Sequence, residues 1–154
     1  MNRGYTREWY LGRIDAIKRI IPGCAISTDI ITGFCGETNH EHKETLSLMN
    51  KVKFDFAYMF FYSERPKTLA QRKFDDDIPL ETKKARLQEV IDIQREHSLE
   101  SNRRQIDKVV EVLVEGPSKK SNDFYCGRNS ENTMIVFPKE NVKRGDYVLS
   151  LIHI

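Results

Sequence analysis

The order of periodicities along the chain predicts an α/β unit followed by a small all-β module. Two short apolar segments, Ala25 to Thr32 and Phe54 to Tyr62, alternate with helical patterns, the arrangement of parallel strands joined by crossover helices. After Ile106 the apolar spacing changes from helical to alternating, with Val110, Val112 and Val114 on one side and Glu111, Leu113 and Glu115 on the other.

Thr6 is placed to cap a first helix whose apolar face is Tyr10, Ile14, Ile17 and Ile21, stopped by Pro22-Gly23. Ala25 to Thr32, rich in Ile and Thr, reads as a short strand by length and β-branching. Thr38 with Glu41 three residues on forms a capping box that opens a second helix carrying Leu46, Met49 and Val52. Phe54 to Tyr62 is nearly continuous in aromatic and aliphatic residues, which predicts a parallel strand covered on both faces. A polar stretch from Ser63 to Ile78 leads to Pro79 and a long helix running to about Gln105, with Leu87, Val90 and Ile91 as its stripe and a pattern that fades beyond Ser98. In the β module, Gly116-Pro117-Ser118 through Asp123 reads as a turn and Met134 to Phe137 as a strand. Arg144-Gly145-Asp146 is a further turn before Tyr147-Val148, and such spacing suggests a small OB-like barrel.

The chain has 154 residues, of which 39% are hydrophobic and 31% charged, the composition of a soluble globular protein. No apolar run approaches the roughly 18 residues that span a bilayer, so no membrane-spanning role is expected. The formal net charge of +2 shows no global bias toward nucleic acid, and any such function must rest on local patches. Cys24, Cys35 and Cys126 fit neither a disulfide framework nor a paired metal site, which favours a reducing, cytoplasmic setting. The start of the chain lacks the apolar core of a signal peptide. Residues 149–154, Leu149-Ser150-Leu151-Ile152-His153-Ile154, back-translate to a transposon adapter used in sequencing libraries and are expected to be a non-native tail.

Gly33 to Thr38 follows the first strand directly, the place where α/β units bind ligands. Gly33 and Gly36 permit close approach of a ligand to the backbone, and the following helix offers free N–H groups to an anion; on spacing alone an ordinary βα turn with a cap is the commoner reading of the same residues. Asp29 interrupts an apolar strand, where an unpartnered buried carboxylate costs several kcal/mol, so it is expected either to hold polar groups of a ligand or to make a structural pair. Arg3 is suited to a bidentate carboxylate contact or to a plain surface position, and Arg65 to the same rim. His40, His42, His97 and His153 form no ligand-spaced set, and no metal site or catalytic side chain is expected. Lys119, Lys120 and Arg128, with Lys139, Lys143 and Arg144, accompany Phe124, Tyr125 and Phe137, a mixture of cations and aromatics that binds single-stranded RNA. Basic and acidic residues are equally numerous from Gln105 onward, so an evenly charged solvated barrel also fits.

Met1-Asn2-Arg3-Gly4-Tyr5-Thr6, Ser27-Thr28-Asp29-Ile30-Ile31-Thr32-Gly33-Phe34-Cys35-Gly36-Glu37-Thr38 and Tyr62-Ser63-Glu64-Arg65-Pro66 resemble the radical-SAM methylthiotransferases. The likeness continues through Glu100-Ser101-Asn102, Val112-Leu113-Val114-Glu115-Gly116 and Gly127-Arg128, and covers all but the last six residues. It implies that residues 1–97 are the C-terminal part of a radical-SAM (partial TIM-like) barrel and residues 98–148 a TRAM domain that binds tRNA. It also implies that Arg3, Asp29, Gly33, Gly36 and Glu37 face S-adenosylmethionine, and that Lys119, Lys120 and Arg128 face a tRNA anticodon stem-loop. The two [4Fe-4S] clusters of such enzymes are held by cysteines of a front half that has no counterpart here, so this segment is expected to ligate neither. The implied activity is methylthiolation at C2 of N(6)-isopentenyladenosine beside the anticodon, with an electron donor such as flavodoxin or ferredoxin and a monomeric state. Related readings are a methylthiotransferase for threonylcarbamoyl-adenosine or a ribosomal protein aspartate, or a non-catalytic RNA-binding module. The chain departs from the family at Cys35, where Pro is common, at Lys67, where Gly is usual, and at Phe124-Tyr125-Cys126.

Overall fold

The computed structural model describes residues 4–139 and 141–153. The chain divides into two compact units between Ser101 and Asn102.

In the first unit, helix α1 (Arg7–Ile20) starts where Thr6 Oγ1 accepts the Trp9 N–H at 3.2 Å. Strand β1 (Ser27–Thr32) is followed by α2 (Asn39–Val52), which opens on the expected capping box: Thr38 Oγ1 accepts the Glu41 N–H at 3.2 Å and the Glu41 carboxylate accepts the Thr38 N–H at 2.8 Å. Strand β2 (Phe56–Phe61) lies parallel to β1 in a two-stranded sheet, with Ser27 opposite Phe56 and Thr32 opposite Phe61. A short helix α3 (Leu69–Lys73), capped by Thr68, lies within the polar stretch after β2, and α4 (Leu80–Arg103) closes the unit. Ile14, Ile30, Met49, Val52, Phe54, Ala57 and Val90 form the core.

Strand β2 is covered on one face, not on both. Ala57 is buried, whereas Phe56, Tyr58 and Phe60 are each more than half exposed. The continuous apolar run prescribes burial on two sides, but within this chain only the face bearing Ala57 meets the helix-lined core. Alternation along β1 sends Ile30 and Thr32 inward and leaves Asp29 exposed beside Ile31, so no isolated buried carboxylate arises.

The α4 stripe also differs from the expected one. Its buried positions are Lys83, Arg86, Val90, Gln94 and His97, spaced by three and four residues, so the inward face is mostly polar. The apolar pattern fades because hydrogen bonding replaces it: Gln94 Nε2 donates to the Phe54 carbonyl at 2.8 Å and to Ser98 Oγ at 3.0 Å.

In the second unit, β3 (Val109–Pro117), β4 (Phe124–Arg128), β5 (Met134–Pro138) and β6 (Tyr147–Leu151) form an antiparallel sheet in the order β5-β4-β3-β6. The sheet fits a small OB-like β domain, with Val112, Val114, Ile135 and Phe137 at its centre. A bulge between Val114 and Gly116, the latter at φ 142°, breaks the β3–β4 register. Strand β4 escapes the sequence pattern because Cys126-Gly127-Arg128 lacks β-branched residues. Gly127 is nevertheless required there, since a Cβ would run into the Leu113 carbonyl and Val112 Cγ1. Leu149 to Leu151, assigned to the tail from sequence, continue β6 opposite Glu111, Val110 and Val109; the Ile152 N–H bonds the Lys108 carbonyl at 2.9 Å.

Candidate functional site

The loop from Gly33 to Thr38 leaves the C-terminal end of β1 and is held by polar side chains of the inward face of α4. Gly33 adopts φ 66°, and a Cβ there would collide with the Lys83 side chain, so both conformation and space demand glycine. Its N–H donates to Glu37 Oε2 at 2.7 Å. The same carboxylate oxygen takes Arg86 Nη1 at 2.6 Å, while Arg86 also donates to the Glu37 carbonyl at 3.0 Å and to Asn39 Oδ1 at 2.8 Å. With side chains only 7% and 12% exposed, Arg86 and Glu37 form a buried ion pair braced by these further hydrogen bonds. The Gly36 N–H donates to Asp77 Oδ1 at 2.7 Å, and buried Lys83 bonds both the Asp76 carboxylate and the Tyr62 carbonyl.

This bracing changes what the loop can offer. The N–H groups of Gly33, Gly36 and Glu37 are taken by Glu37, Asp77 and the Phe34 carbonyl, and those of Thr38 and Glu41 by the capping box. The loop therefore presents its shape rather than an open anion cradle. Around Gly36, at φ 75°, nothing lies within 4 Å of a Cβ position, so that stretch has open space beside it. Asp29 stands exposed on the open face of β1 with Ile31, free of any cost of burial. Arg3 lies outside the described residues. Sequence reasoning missed Lys83, Arg86, Asp76 and Asp77 because they are ordinary charged residues on a helix or in a polar loop; for the two on α4, their spacing along its inward face was the only signal.

Beside this rim, Ile31, Phe34, Phe60, Phe61, Tyr62 and Leu87 are among the residues lining a cleft of about 610 Å³. Phe34 packs edge-on against Tyr62 with centroids 4.9 Å apart. Burial, and next the Cys35 thiol beside it, push the Tyr62 phenol above its ordinary value. Lys67, at the family's glycine position, occupies φ 67°, a left-handed conformation that L side chains adopt at a cost.

No three His, Cys, Asp or Glu side chains stand together as a metal site among the described residues. His42 is buried with Nε2 3.1 Å from Glu89 Oε2, while His40 is exposed.

In the β unit, Lys119 and Lys120 are exposed in the turn that leads into β4, and Arg128 lies at the other end of that strand. The structure does not bring the three to one point. Arg128 Nε pairs with Glu115 Oε1 at 3.0 Å and its Nη1 donates to the Asn132 carbonyl at 3.0 Å, so it also holds the turn before β5. Lys139 Nζ sits 5.6 Å from the Tyr125 ring centre, a cation over an aromatic face at the sheet edge.

Residues 103–149 match the TRAM domain family. Over 153 residues, 99% of its length, the chain is 58% identical to a tRNA-2-methylthio-N(6)-dimethylallyladenosine synthase of Amoebophilus asiaticus and 57% identical to one of Christiangramia forsetii. It is 50% identical over 148 residues to the protein of the same name from Karelsulcia muelleri. The chain spans about a third of the length of these relatives, 32% of the first two and 33% of the third. The resemblance read from the motifs is thus borne out as similarity to tRNA methylthiotransferases along nearly the whole chain. No helix among the described residues is long and apolar enough to cross a membrane.

Proposed function

We propose that this chain is the C-terminal part of a radical-SAM tRNA methylthiotransferase that acts on N(6)-dimethylallyladenosine beside the anticodon. The carrying observation is that the similarity to the named synthases runs through both units, the α/β unit with its braced loop and the TRAM domain alike. In this reading the two parallel strands belong to a radical-SAM barrel, and the exposed face of Phe56, Tyr58 and Phe60 is part of its interior. S-adenosylmethionine and two [4Fe-4S] clusters supply the radical and sulfur chemistry when bound.

The residues present fit a role in holding S-adenosylmethionine and not the clusters. Asp29 projects an exposed carboxylate from the open strand face, able to accept hydroxyl or ammonium hydrogens, and Gly36 leaves room for close approach. Glu37 acts through the loop: its carboxylate fixes Gly33 and is itself held by Arg86. Arg3 completes the set as a carboxylate contact by resemblance. The three cysteines lie at 24, 35 and 126, and the chain contains no CxxxCxxC motif. Lys119, Lys120 and Arg128 contact phosphates of the anticodon stem-loop, and aromatic faces such as Tyr125 stack bases. The whole enzyme is a cytoplasmic monomer supplied with electrons by a flavodoxin or ferredoxin.

The test is titration of the chain with an anticodon stem-loop at several salt concentrations. Binding is expected to weaken linearly in log–log form. Replacing Lys119, Lys120 and Arg128 together by Ala is expected to reduce the slope by roughly 0.7–0.9 for each phosphate that the variant no longer neutralises. Affinity and slope unchanged in the triple variant would remove these residues from the RNA interface.

A further inference from the structure

We propose that the cleft beside β2 receives the prenylated base of the RNA substrate, with the dimethylallyl group seated among its aromatic walls. The inference rests on the functional reading above and adds a location for the substrate's distinguishing group.

The position of the cleft follows from its lining. Met59, Phe60 and Phe61 are consecutive residues of β2 that point alternately to opposite faces, and Ile31 of β1 joins them, so the cavity wraps around the C-terminal end of β2 and does not cover one face alone. Phe34 brings the loop after β1 to one wall, and Leu87 of α4 stands at the back. At about 610 Å³ the cleft lies within the range that takes a small-molecule-sized group such as a modified nucleoside. Its walls are largely apolar, as a five-carbon branched alkenyl chain requires, and they are aromatic, as stacking on a purine favours.

The rim is polar in the way a nucleotide demands. Ser63 and Arg65 stand at the cleft, and no ion pair engages the Arg65 guanidinium among the described residues. The Arg65 carbonyl accepts Thr68 Oγ1 at 2.8 Å, which fixes the backbone while the cation remains available to a phosphate. Tyr62 lines the same cleft and adds its ring to the aromatic wall. Aromatic walls and one phosphate-binding cation match a prenylated adenosine in a polyanionic strand.

The experiment measures binding of the chain to N(6)-dimethylallyladenosine and to adenosine by calorimetry, and to anticodon stem-loops carrying each. The prenylated form is expected to bind at least about tenfold more tightly in both formats. Phe60→Ser and Ala70→Phe, which remove and block cleft surface, are expected to bring the ratio to near one. Ile20→Ser, at an exposed apolar residue at the end of α1 and outside the lining, is expected to leave it unchanged. Far-UV circular dichroism confirms that the variants fold. A ratio near one in the native chain, or a preference that survives both cleft substitutions or is lost with Ile20→Ser, overturns the assignment. Salt-dependent binding of the unmodified stem-loop with no prenyl preference defeats the cleft alone. A prenyl preference for the nucleoside with no stem-loop binding defeats the RNA reading alone, and absence of both defeats both.

Discussion

At the scale of single residues, the buried Arg86–Glu37 pair decides the geometry of the loop after β1. Its desolvation is offset only while every partner is in place, because Arg86 bonds a carboxylate, a carbonyl and an amide oxygen at once. Arg86→Met is expected to cost about 3 kcal/mol or more in urea unfolding, since it leaves the Glu37 carboxylate buried without its cation. Lys67 presents the opposite case, a residue whose backbone conformation suits glycine better. Lys67→Gly relieves the left-handed strain and also frees the unfolded chain, so the net gain is expected to be up to about 1 kcal/mol, read from the same unfolding midpoint. The glycine loop was legible in the sequence as a place; its bracing was not, because charges that meet across elements leave no mark in linear spacing.

At the scale of elements, α4 shows how a helix can be buried without an apolar stripe. Lys83, Arg86, Gln94 and His97 face inward together with Val90, and the first three find hydrogen-bond partners there. His97 Nδ1 is buried without a partner. Burial above all, and Lys53 next, hold its pKa below the ordinary 6.5, against the opposing pull of Glu100 and Glu96. The unfolded chain therefore binds the proton more readily than the folded one. The His97 contribution to stability is complete above about pH 6.5 and declines as the pH falls below that value. His97→Leu is expected to flatten the fall in urea midpoint between about pH 7.5 and about pH 5.5, and an equally steep fall in the variant would assign the effect elsewhere. Helices α1 and α2, by contrast, follow their sequence signals to the cap residue, because Thr6 and Thr38 act on backbone groups within the same turn.

At the scale of the whole molecule, two separate hydrophobic clusters, one around Val90 and Phe54 and one around Val112 and Phe137, define two units with their own cores. The single tryptophan, Trp9, belongs to the first. Gly127→Ala forces a side chain against the Leu113 carbonyl and is expected to lower the unfolding midpoint seen by circular dichroism of the β unit. The midpoint reported by Trp9 fluorescence is expected to stay in place. A common shift of both probes would show that the units unfold as one.

The sequence alone determined the helix–strand–helix–strand order, the parallel pairing of the two apolar strands, the threonine caps of the first two helices, the change to an alternating module and the similarity to methylthiotransferases. Each rests on residues that are neighbours in the chain or on motifs contained within it. Tertiary structure decided which face of β2 is covered, where Asp29 stands, that Gly127 lies within a strand, and that a polar helix face locks the glycine loop. Those outcomes depend on which surfaces distant segments bring together, and burial and hydrogen bonding act through space, not along the chain.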